Sequence, residues 1–117
     1  MPDPPQELRA RMIQIAGRFL DRVSREIVQL RGMIDAAAGG DLTMVREIET
    51  LAHRMHGSGA MLRFNEIADR AGELERLAAS FVAAGTVDQP RMLDLYRQLQ
   101  AAIEKACAAR AASIPPP

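Results

Sequence analysis

The stretch Asp41–Ser58, D-L-T-M-V-R-E-I-E-T-L-A-H-R-M-H-G-S, decides how the chain folds. At about 100° of rotation per residue, Met44, Val45, Ile48, Leu51, Ala52 and Met55 fall on one arc. Steps of three and four are the signature of an amphipathic helix that buries one face. Asp41 supplies an N-cap whose carboxylate can accept a free backbone N–H of the first turn. His53 lies well outside the apolar arc, beside Arg46, Thr50 and Gly57, with Glu49 and His56 at its flanks. Gly57 costs a helix roughly 1 kcal/mol against alanine. At i+4 it leaves bare space beside the His53 ring, and His56 at i+3 flanks the same spot. An exposed imidazole with a cleared approach suits a nucleophile or proton carrier. A solvated surface histidine, followed by a helix C-terminus at G-S-G, explains the same residues without chemistry.

Working outward, the preceding segment repeats the pattern. Leu8, Met12, Ile15, Phe19, Val23, Ile27, Leu30 and Ile34 are spaced by threes and fours. Gly17 marks a bend, or a break between a short first helix and a longer one, and Gly39 and Gly40 stop the pattern. On the other side, Met61, Leu62 and Phe64 form an apolar turn under the helix ends, and Asn65 caps the next helix. Its stripe is Ile67, Ala71, Leu74, Ala78 and Phe81, closing at Gly85. Asp88 caps a last helix, with Pro90 in the first turn where a missing N–H is tolerated. That helix buries Met92 or Leu93, Tyr96, Leu99, Ile103 and Ala106. No stretch alternates as a half-buried strand does. Short connections make sequential helices antiparallel neighbours. The expected fold is all-α: an antiparallel up-down four-helix bundle, with room for a short extra N-terminal helix. The bundle is expected over residues 7–112, between a disordered N-terminus at 1–6 and a Pro-rich tail at 113–117.

Composition narrows the function. The 117 residues suit one domain. With no Trp, one Tyr and three Phe, the core is built from Leu, Ile, Val, Met and Ala, and the low aromatic content argues against base-stacking platforms for single-stranded nucleic acid. Met12, Met33, Met44, Met55 and Met61 read as core filling. Fifteen basic and 15 acidic residues give a formal net charge of zero, so nothing drives the chain towards nucleic acid or an anionic membrane. A lone cysteine, Cys107, can form neither an internal disulfide nor a CxxC pair, which fits a reducing, cytoplasmic setting. There is no signal-peptide pattern and no run long enough to span a bilayer.

The segment A-H-R-M-H-G-S-G-A-M-L-R-F, from Ala52, resembles the histidine phosphotransfer (HPt) domain motif, commonly written A-H-x-L-K-G-S-x-x-x-L-G. Ala52 and His53 match its alanine and phospho-accepting histidine, Met55 its apolar position, Gly57 its glycine and Ser58 its small residue. I-A-D-R-A-G-E-L-E, from Ile67 to Glu75, resembles the family's following helix, and A-A-A-G-G-D-L-T-M-V its lead-in. The resemblance covers about residues 19–105. Two positions depart from it: His56 replaces the usual lysine, and Arg63 replaces a glycine common in the following turn.

The resemblance implies a stand-alone phosphorelay protein. His53 would accept a phosphoryl group from a receiver-domain aspartyl-phosphate, or from a hybrid histidine kinase, and pass it to another receiver. His56 would contact the phosphoryl group in place of lysine, and Gly57 would keep access open. Arg46, Glu49, Thr50 and Ser58 would meet the response regulator. The resemblance further implies a monomer, with Mg²⁺ brought by the partner and no cofactor of its own. No phosphate-binding glycine loop accompanies the motif, so the chain reads as a phosphocarrier and not an enzyme. The lysine-to-histidine departure motivates an alternative, an HPt-shaped module that docks on a kinase or response regulator without transferring. A metal site of His53 and His56 has only Glu49 as an obvious third ligand and is not expected.

Overall fold

The computed structural model describes residues 4–113. Four helices follow one another: α1 Pro4–Ala36, α2 Leu42–Met61, α3 Asn65–Ala84 and α4 Gln89–Ser113, with one 3-10 turn, Ala37–Gly39, after α1. The described residues contain no strand. α1 packs on α2 and α4, and α3 on the same two, with α2 against α3 the most extensive contact. This is the expected four-helix bundle.

The stripes read from the sequence form its core. Phe19, Val23, Ile27, Leu30 and Ile34 of α1 meet Val45, Ile48, Leu51, Ala52 and Met55 of α2 in one buried cluster. Ile67, Ala71, Leu74, Ala78 and Phe81 of α3 and Met92, Tyr96, Leu99 and Ile103 of α4 complete it. Phe64 stacks on Phe19, with ring centroids 5.2 Å apart, and fastens the α2–α3 turn to α1. Asp41 caps α2 as expected, its carboxylate accepting from the Met44 N–H at 3.1 Å. Asp88 accepts from the Arg91 N–H at the start of α4. Gly40 and Gly85 end their helical segments with φ of 93° and 73°, backbone that glycine enters without steric cost.

Several expectations are corrected. α1 begins at Pro4 instead of residue 7 and passes through Gly17 without a break, so no separate short helix precedes the bundle. Of the expected disordered end, residues 1–3 lie outside the described residues; of the Pro-rich tail, 114–117 do. A Cβ at Gly17 would come within 3.3 Å of the Arg110 guanidinium, which donates to the Gly17 carbonyl at 2.9 Å and to Asp21 at 3.0 Å. Gly17 therefore admits an arginine from α4. The first stripe positions miss the core, because α1 outruns the bundle: Leu8, Met12 and Ile15 are exposed, as is neighbouring Ile13. Met61 is 82% exposed, so neither it nor Met12 fills the core. Asn65 is the first residue of α3 and Phe64 occupies the cap position, without a side-chain cap bond.

Nor does α2 stop at G-S-G; it continues to Met61. Its end is a Schellman arrangement: the Phe64 N–H reaches the Gly59 carbonyl at 2.8 Å and the Arg63 N–H reaches Ala60 at 3.2 Å. That closure requires left-handed backbone at Arg63, which has φ of 64°. The position where the resemblance expects glycine is thus one where glycine is physically favoured.

Candidate functional site

The α2–α3 pairing brings His53 and His56 against a residue the motif reading did not single out. Glu75 of α3 holds both imidazoles: its Oε2 lies 2.6 Å from His53 Nδ1 and its Oε1 lies 3.1 Å from His56 Nδ1. Burial raises the Glu75 pKa, but the hydrogen bonds from His56 and His53, with their charges, outweigh it and hold the carboxyl below its ordinary value. An ionised carboxylate only accepts, so both Nδ1 atoms carry the proton. In the neutral ring that leaves the lone pair on Nε2. The His53 side chain is 71% exposed, so this nucleophilic nitrogen can be reached from solvent, while Glu75, at 23%, is tucked between the helices.

The two histidines are held differently. His56 sits over Gly72 of α3, where a Cβ would press to 3.2 Å from its ring. Gly72 is buried and makes room for that ring. With Nδ1 given to Glu75, a neutral His56 offers only an acceptor at Nε2. It donates to a phosphoryl oxygen only when protonated. Around Gly57, by contrast, a Cβ would meet nothing within 4 Å. Packing does not demand glycine there.

Arg46, Glu49, Thr50 and His53 line one shallow hollow with Glu75. His56 opens instead onto a neighbouring hollow with Asp69, Arg70, Gly72, Glu73 and Arg76. Ser58 turns to the other side of α2, into a groove against α1 with Ile15, Arg18, Phe19 and Met61. Three of the expected positions, Arg46, Glu49 and Thr50, therefore share one surface with His53, and Ser58 does not. The described residues contain no cluster of three or more His, Cys, Asp or Glu placed to hold a metal. No described helix is long and apolar enough to cross a membrane.

Glu75 was within reach of the sequence. It follows buried Leu74 and lies one turn after buried Ala71, at the flank of the α3 stripe, where a side chain meets a neighbouring helix. Its partner depends on the α2–α3 register, which no single helix reveals.

The family model described as Hpt domain matches residues 14–109. No curated protein and no solved structure matches the chain.

Proposed function

The chain belongs to the Hpt domain family, whose members are phosphocarriers of phosphorelay signalling, and from that premise we propose that His53 is the phospho-accepting residue. One observation carries the reading: Glu75 accepts a hydrogen bond from the Nδ1–H of an exposed histidine at 2.6 Å, which leaves the Nε2 lone pair free as the nucleophile. The donor would be a receiver-domain aspartyl-phosphate. The Nε2 lone pair attacks phosphorus in line, the N–P bond forms and the P–O bond to the aspartyl carboxylate breaks. The aspartate leaves with the electron pair. The ring becomes a phosphorylated imidazolium, whose Nδ1–H still donates to Glu75. Glu75 thus orients the ring and stabilises the positive charge that develops on it, as a carboxylate does behind a catalytic imidazole. Return of the phosphoryl group to a second receiver reverses these steps.

The open space at Gly57 supports approach of a partner over His53. Arg46, Glu49 and Thr50, on the same hollow, are the proposed partner contacts. His56 is proposed to hold Glu75 in place, and to meet the phosphoryl group only in its protonated form.

Incubation with a phosphorylated receiver, followed by mapping, tests the proposal. An acid-labile phosphate is expected on His53, absent in His53→Gln and retained in His56→Ala. Label that persists in His53→Gln refutes the assignment. A stable receiver complex without any label favours the non-transferring docking module.

A further inference from the structure

Phosphorylation places a dianionic group in a hollow that already holds two carboxylates, Glu49 and Glu75. The imidazolium formed on transfer offsets Glu75. Glu49 is not offset, and the phosphoryl oxygens need a cationic donor. His56 does not supply a fixed one, because its Nδ1 is bonded to Glu75 and its ring is packed on Gly72. Arg46 is the one cation lining the hollow that contains His53. It is exposed, and its guanidinium makes no ion pair or hydrogen bond among the described residues. The Thr50 hydroxyl bonds the Arg46 carbonyl at 3.0 Å, so this turn of α2 keeps its own polar group satisfied and leaves the guanidinium uncommitted. Seven residues separate Arg46 from His53, about 10 Å along the axis. Side chains on a helix lean towards its N-terminus, Arg46 as much as His53, so the reach across that gap comes from the long, uncommitted arginine side chain that lines the same hollow.

Other arginines are placed elsewhere. Arg54 lines a hollow that excludes His53. Arg76 lies on the His56 side, its guanidinium 3.3 Å from where a Gly72 Cβ would be. We infer that Arg46 is the fixed cation that binds the phosphoryl group carried on His53, in the part that a lysine at position 56 would otherwise play. The inference rests on the reading of His53 as phospho-acceptor. It makes Arg46 a positioning and charge-stabilising residue within this chain, beyond any contact with the partner.

Chemical phosphorylation with phosphoramidate separates the two ideas, because it needs no receiver. In ¹⁵N-labelled protein, the Arg46 Nε–H resonance should shift, and exchange more slowly with water, once His53 is phosphorylated. The response should vanish in His53→Gln. Arg46→Ala should slow transfer from a saturating phosphorylated receiver roughly tenfold, with melting unchanged. Arg46→Lys should stay within about threefold and Arg76→Ala at the wild-type rate. A phosphorylated His53 with an unmoved Arg46 resonance overturns the inference and spares the acceptor assignment. So does a response carried by Arg76, or a wild-type rate in Arg46→Ala. An Arg46 response without transfer from any receiver upholds the phosphoryl contact while removing the relay. Failure of phosphoramidate to label His53 overturns both.

Discussion

Glu75 couples the proposed chemistry to the fold, because the carboxylate that orients the His53 ring is also an α2–α3 contact. Its pKa in the folded chain lies below its ordinary 4.5. Such a group adds stability that is present above the unfolded-state pKa and is lost as pH falls through the folded value. Glu75→Gln should therefore show a flatter loss of stability between about pH 5 and 3 than the wild type, measured by urea unfolding. At neutral pH the same variant should transfer more slowly, since an amide cannot neutralise the phosphorylated ring. Arg63 gives a second residue-scale test. At φ of 64° it pays for a left-handed backbone that glycine enters freely. Arg63→Gly should stabilise the protein by roughly 0.5–1 kcal/mol, the relief of strain exceeding the entropy glycine adds to the unfolded chain. The sequence registers Arg63 as a departure from a motif; the backbone angle supplies the physical meaning.

At the scale of the element, glycines of one helix pair play opposite parts. A Cβ at Gly57 meets open space, whereas at Gly59 it would come within 3.3–3.4 Å of the Ala68 backbone and side chain. Gly57→Ala should raise stability by up to about 1 kcal/mol through helix propensity. Gly59→Ala should lower it by about 1–3 kcal/mol, since a packed backbone gives way less easily than a side chain. Thermal unfolding of the two variants side by side checks the contrast, and Gly57→Gln should slow transfer without lowering the melting temperature. Periodicity made the helices and their buried faces legible, because each stripe is a local property of the chain. Asp41, Asp88, Gly40 and Gly85 were legible for the same reason. The partners of Glu75 and Gly72 and the Arg110–Gly17 contact were not, since each depends on the register between two helices. The length of α1 beyond the bundle was also hidden: Leu8, Met12 and Ile15 keep the helical spacing whether or not anything packs on them.

Across the whole molecule, burial is unevenly distributed along an outline of 58 × 26 × 17 Å. Leu30 is fully enclosed, while Leu8 and Ile13 stand 60% and 72% exposed on the same helix. Leu30→Ala should cost about 2–5 kcal/mol, and Leu8→Ala and Ile13→Ala no more than about 0.5 kcal/mol each. Denaturant titration of the three variants would map where the cooperative unit ends along α1. Tyr96 offers the means to watch it. It is the only tyrosine in a chain without tryptophan, buried on α4 with the Arg31 guanidinium of α1 lying 5.8 Å over its ring. Its ultraviolet emission is therefore a built-in optical reporter of the α1–α4 seam, spectrally uncrowded and separate from the α2–α3 pair that carries the histidines. Signal from Tyr96 and signal from the imidazoles can then be followed in one unlabelled sample, and any difference in their timing would show whether the two halves of the bundle open together.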